Sequence, residues 1–106
     1  MINPLTAQQL EDTLHTLVKA SVLNRDWRRR VRKAHGFAAS APDYRVLALL
    51  YLTPYTRWQT AEIAQRCAIR QEAAPHVLLR LQRHEALQYD ESGWSLTTFG
   101  KELIEA

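Results

Sequence analysis

The sequence predicts a mainly α-helical fold with one small β-hairpin near its C-terminal end. Three observations carry the prediction. Apolar residues recur at three- and four-residue spacing in several separate stretches, the pattern of helices with one buried face. Helix punctuation divides the stretches: Gly36, Ser40-Ala41-Pro42-Asp43, Thr53-Pro54 and the polar break Arg70-Gln71-Glu72. The run from Leu87 to Thr97, with Ser92-Gly93 at its tip, has the signature of a hairpin. A chain of 106 residues suits a single domain (1–106), and 46% hydrophobic residues exclude a disordered one.

The elements follow in order. Thr6-x-x-Gln9 opens the first helix as a capping box, and Leu10, Leu14, Leu17 and Val18 continue it. The periodicity runs on less cleanly through Val22, Leu23, Trp27 and Val31. Asn24 and Asp26 allow either one long helix or two, and Gly36 supplies the stop. This 1–36 arm packs either on its own domain or on a second chain. Ser40 and Asp43 form a second capping box with Pro42 in the first turn. The helix that follows, Tyr44 to Leu52, is apolar nearly all round and should be the central buried one. Thr53-Pro54 ends it. Tyr55 to Gln59 alternates β-prone residues and predicts a short strand pairing with the hairpin; Trp58 is expected to pack.

Thr60 should cap the next helix, whose apolar face is Ile63, Ala64 and Cys67. The lone cysteine cannot form an internal disulfide, and its position favours a buried core role. Pro75 fits only in a first helical turn, so another helix begins between Glu72 and Ala74, and its apolar face is Ala74, Val77, Leu78 and Leu81. Its other face should expose His76, Arg80 and Arg83, with Arg70 and Gln71 beside its start. Trp94, Leu96 and Phe99 form the inward side of the returning strand and its exit.

Residues 60–101 resemble the winged helix-turn-helix of bacterial transcription regulators, and the MarR-like group in particular. The resemblance rests on Thr60-Ala61-Glu62-Ile63-Ala64, on the apolar pattern from Leu81 to Leu87, and on Trp94-Ser95-Leu96-Thr97-Thr98-Phe99-Gly100-Lys101, which is similar to the family's last strand running into the next helix. It implies a winged-helix core over 40–106 and a homodimer built in part by the N-terminal helix. It also implies that the 72–85 helix enters the major groove of double-stranded DNA. Three features depart from the family pattern. The 72–85 helix opens with Arg70-Gln71-Glu72 and Pro75 instead of Ser or Thr. Glu85-Ala86 follows it where a glycine is usual. The wing tip, Asp90-Glu91-Ser92-Gly93, is short and acidic.

Charge narrows the candidate contacts. The formal net charge is +3 and the pI near 9.4, so distribution matters more than the sum. Arg25, Arg28, Arg29, Arg30, Arg32 and Lys33 crowd one segment against Asp26 alone. That cluster is either a phosphate-binding patch or a solvated helix face. Arg57, Arg66, Arg70, Arg80 and Arg83 outnumber Glu62 and Glu72 in the next basic stretch, whereas the residues from Glu85 onward are acidic. Arg and Gln are the side chains that read guanine and adenine edges. Arg70, Gln71, His76 and Arg80 are therefore the expected base or groove contacts. Arg57, Arg83, Arg28, Arg29 and Arg32 are the expected phosphate contacts.

These observations point to a DNA-binding transcriptional regulator. The alternative is a winged-helix adaptor that meets a protein partner through its acidic wing or N-terminal helix. No glycine-rich phosphate loop, nucleophile elbow or paired-carboxylate arrangement is present, which argues against an enzyme. No metal or cofactor is expected, since His76 and His84 lie about two helical turns apart without a carboxylate–cysteine set. No apolar run has the length of a membrane span and no signal-peptide pattern opens the sequence, so a cytoplasmic protein is expected.

Overall fold

The computed structural model describes residues 21–106, with side chains from Arg25 onward. The Thr6 capping box and the Leu10 to Val18 stripe lie outside the described residues. The described elements are α1 (Ser21–His35), α2 (Ala41–Leu52), α3 (Thr60–Arg66), α4 (Ala74–Arg83), β1 (Leu87–Asp90), β2 (Gly93–Leu96) and α5 (Thr98–Ile104). The fold is thus mainly helical with a small two-stranded antiparallel hairpin. No helix among the described residues is long and apolar enough to cross a membrane.

Helix α2 is the hub. Residues Val46 to Leu50 are all buried, so the helix has no wet face in its middle, and the other described helices and β2 pack around it. Helix α1 offers Trp27 and Val31 to this core from positions four residues apart. The Trp27 indole N–H donates to the Leu103 carbonyl at 2.8 Å, and its ring lies 5.0 Å from that of Tyr44. This part of the arm therefore packs on its own chain, against α2 and α5. It ends where Gly36, at φ +66°, donates its N–H back to the Arg32 carbonyl at 2.9 Å.

Two details differ from the sequence expectation. Gln59, not Thr60, is the N-cap of α3, and its N–H donates to Glu62 Oε1 at 3.0 Å. The Thr60 hydroxyl is engaged elsewhere, accepting from the Trp94 indole at 3.0 Å. The predicted strand at 55–59 reduces to a single bridge between Trp58 and Trp94, in which the Trp94 N–H donates to the Trp58 carbonyl at 2.9 Å. The ladder cannot continue because Gln59 already begins the helix cap. The approach at this bridge is close: a Cβ on Gly93 would sit 2.6 Å from the Trp58 carbonyl oxygen. Trp58 itself is half-buried and donates its indole N–H to the Thr53 hydroxyl at 2.9 Å, as a packing residue should.

Helices α3 and α4 end in the same way, without glycine. After α3, Ala68 takes φ +54°; its N–H donates to Gln65 O and that of Ile69 to Ala64 O, at 3.4 and 2.9 Å. After α4, Glu85 takes φ +63°; its N–H donates to Gln82 O and that of Ala86 to Leu81 O, both at 2.9 Å. Each is a Schellman closure with a side chain at the left-handed position that glycine usually fills. A Cβ in that conformation is disfavoured. The hairpin follows at once, with Leu87 opposite Leu96 and Asp90 opposite Gly93. Asp90 Oδ1 accepts the Ser92 N–H at 2.7 Å and closes the tip.

Two predictions follow from the packing. Glu85→Gly removes the left-handed strain from an exposed position and should stabilise the fold by about 0.5–1 kcal/mol, read as a higher urea midpoint. Cys67 is buried with its Sγ 3.4 Å from the Arg45 carbonyl, and burial pushes its thiol pKa up to about 12. The raised value means that the neutral thiol is favoured in the fold. Its contribution is intact below the unfolded thiol's pKa of about 8.5 and is lost as pH rises from there towards the folded value. A thiol reagent at pH 8 should label Cys67 only when the chain unfolds, and Cys67→Ala should flatten the fall in stability above about pH 9.

Candidate nucleic-acid interface

Arg70 to Ala73 form the turn that leads into α4, with the N–H groups of Ala73 and Ala74 both donating to Arg70 O at 3.0 Å. Pro75 lies in the first turn of α4, where its missing N–H leaves no intrahelical bond unmade. Ala74, Leu78 and Leu81 are buried against the core. The opposite side exposes Pro75, His76, Leu79, Gln82 and Arg83. No residue of α4 is acidic.

Arg80 does not belong to that outer edge. Its guanidinium turns back to Asp43 Oδ2, donates to the Ala38 carbonyl and the Ser40 hydroxyl at 3.3 Å each, and lies over the Phe37 ring at 5.9 Å. Asp43 has no solvent exposure at all, and the same Oδ2 accepts the Ser40 N–H at 2.7 Å. Arg80 is therefore a structural cation that fastens α4 to the cap of α2. The expectation that Arg80 stands free on the exposed face is corrected: a buried carboxylate claims its charge and the residue is only half-exposed. His84, exposed, stands edge-on to the same Phe37 ring at 4.8 Å.

The other expected contacts are dispersed. Arg70 is 85% exposed and pairs loosely with Glu72 at 3.5 Å, a contact of small worth in water. Gln71 donates to the Ala61 carbonyl at 3.2 Å, which ties the turn to α3 but leaves the residue exposed. His76 and Arg83 are exposed on α4. Arg57 lies away from α4, at a cleft lined also by Lys101. Arg29 and Arg32 are exposed on α1, whereas Arg28 is half-buried with its Nε unpaired among the described residues. The structure thus groups Arg70, Gln71, His76 and Arg83 around α4 and keeps Arg57 and the α1 cluster on other elements. Among the described residues no group of His, Cys, Asp and Glu is arranged to hold a metal ion.

Sequence reasoning missed Asp43 as a counter-ion. The signal was present: a carboxylate opening a helix that is otherwise apolar all round. Its cap role was legible, but the distant cation was not. In comparisons with known proteins, no family model matches the chain and no curated protein matches it in sequence.

Removing the cation should leave an unpaired buried carboxylate, so Arg80→Ala should cost about 3 kcal/mol in urea unfolding. The double variant Asp43→Asn/Arg80→Met carries no buried charge and should recover most of that loss.

Proposed function

We propose that the protein is a winged helix-turn-helix regulator that binds double-stranded DNA, with α3 and α4 as the helix pair, α4 entering the major groove and β1–β2 as the wing. The observation that carries this reading is the outer face of α4. It is free of carboxylates, it ends in Arg83, and it is preceded by an exposed turn bearing Arg70 and Gln71. The resemblance of residues 60–101 to the MarR-like group supports the same assignment. In this reading Arg70, Gln71 and His76 contact base edges, and Arg83 contacts phosphate. Arg29 and Arg32 add phosphate contacts if α1 meets the flanking duplex. Two copies of the chain would place two α4 helices in half-sites about one helical turn apart.

A second reading is favoured by a specific observation. Leu79 is 45% exposed on the outer face of α4, and Tyr89 is 52% exposed on a hairpin whose tip carries Asp90 and Glu91. Exposed apolar side chains beside acidic ones suit a protein-docking adaptor.

Band shifts against genomic fragments at graded salt separate the two. The regulator reading expects salt-dependent binding that weakens by about tenfold in Arg83→Ala and in Arg70→Ala. Asp90→Asn/Glu91→Gln should tighten it, because the wing tip then no longer repels phosphate. Absence of any salt-dependent shift near physiological ionic strength would falsify the regulator reading and leave the adaptor. Solution mass with and without DNA tests the dimer.

A further inference from the structure

We propose that the free edge of β1 is a docking site for an extended, cationic segment of a partner protein, which joins the hairpin as a third strand. The hairpin has one closed edge and one open one. On the β2 side the Trp94 N–H donates to the Trp58 carbonyl at 2.9 Å, so the Trp94 backbone points away from β1. Tyr89 lies opposite Trp94, and the two therefore form a non-hydrogen-bonded pair. The Tyr89 N–H and C=O accordingly point to the outer side of β1, where they have no partner among the described residues. Gln88, Tyr89 and Asp90 are exposed in succession, so the strand is open to solvent on both faces. An edge of this kind is a template for a further strand.

Charge selects the occupant. From Glu85 to Gly100 the chain carries Glu85, Asp90 and Glu91, all exposed, and no Lys or Arg. A second copy of β1 would bring like charges together along the edge, whereas Lys or Arg at alternate positions of an added strand meets them favourably. Tyr89 supplies a further contact. Its ring is 52% exposed and rests against the Trp94 ring at 4.9 Å, so a cation can lie on its outer face. Main-chain bonds along the edge give the added strand its register, and the charges decide which strand is taken. The inference deepens the docking reading of the hairpin and holds whatever α4 binds.

The probe is a short synthetic peptide of alternating Lys and Thr, titrated without DNA so that its failure is separate from that of the band shifts. It should bind with a dissociation constant on the order of 1 mM, weaken as salt is raised, and slow the hydrogen exchange of the Tyr89 amide. Asp90→Lys/Glu91→Lys changes only exposed side chains and should weaken binding by about tenfold or more. Tyr89→Pro removes the outward N–H, which an edge strand tolerates, and should abolish binding while the amide resonances of Gln88 and Ser95 still report a paired hairpin. Tyr89→Thr keeps that N–H, loses the ring and should retain most of the binding. The proposal is overturned if the same peptide N-methylated at every residue binds equally well, since charge alone then suffices, or if a Glu–Thr peptide does. It is overturned too if binding leaves the Tyr89 amide unprotected, if either the folded Tyr89→Pro chain or the charge-reversed one binds as tightly as the parent, or if no binding is seen. Protection of Tyr89 that rises with protein concentration alone assigns the edge to a second copy and overturns it likewise. Such a failure leaves exposed Leu79 on α4 to carry the docking reading.

Discussion

A carboxylate with no access to water opens the central helix, and the guanidinium of Arg80 is what makes it tolerable there. Asp43 holds two contacts at once on one oxygen. It accepts the Ser40 N–H, which closes the first turn of α2, and it accepts Arg80, which arrives from α4. A buried pair of this kind is a poor source of net stability, because desolvation offsets most of the attraction. Its consequence is geometric. In the position Arg80 takes, it meets Asp43 Oδ2, the Ser40 hydroxyl, the Ala38 carbonyl and the Phe37 ring together, and those contacts hold the rotation of α4 about its own axis. With the helix so fixed, Leu78 and Leu81 face the core, and His76, Leu79 and Arg83 face outward.

The same segment is held in length as well as in rotation. Ala68 and Glu85 reverse the chain in left-handed conformations at the ends of α3 and α4, so each helix stops where its carbonyls are satisfied. The hairpin then has no slack. Thr97 donates its N–H to Ala86 O at 3.1 Å, and Gly100 approaches that same carbonyl so closely that a Cβ would lie 2.2 Å from it. The lack of a side chain at Gly100 and at Gly93 is what allows α5 and the 58–59 segment to close over the hairpin. Ala68 and Glu85 show the converse. Closure there is dictated by the hydrogen bonds, by the burial of Ala86 and by the packing of half-buried Ile69 on the core, and the strain of a side chain at positive φ is absorbed by the rest of the fold.

Much of this was legible from residue pattern, and, apart from the 55–59 strand that the local Gln59 cap cuts short, the failures share one cause. The capping box at Ser40–Asp43, the stop at Gly36, the start of α4 near Pro75 and the hairpin around Ser92-Gly93 are all local, set by residues within a few positions of one another. The misplaced features are those in which a side chain is claimed from far along the chain. Thr60 looked like a cap, but its hydroxyl is taken by Trp94, thirty-four residues on. Arg80 looked like a free cation on a helical edge, but Asp43, thirty-seven residues back, binds it. Helical periodicity locates a polar residue on the outer half of a helix; it does not say whether a long side chain at the boundary turns to water or back to a buried charge.

With Arg80 withdrawn, the proposed DNA reading rests on fewer cations. On and just before α4, Arg70 and Arg83 are the exposed ones, and the hairpin tip sets Asp90 and Glu91 against them. Each phosphate neutralised contributes to affinity through counterion release, so a single copy with two or three such contacts binds weakly at physiological salt. Under the proposed reading, tight recognition by this face would call for a second copy on an adjacent half-site. Joining two weak sites raises the effective concentration of the second without adding any contact within one subunit. The α1 cations enter on the same logic. Arg29 and Arg32 are exposed on a helix that Trp27 and Val31 lock to α2 and α5, so whatever duplex or protein surface they meet is held at a fixed angle to α4. The clamp that removes one cation from the outer edge of α4 is thus also what makes the orientation of the remaining ones definite.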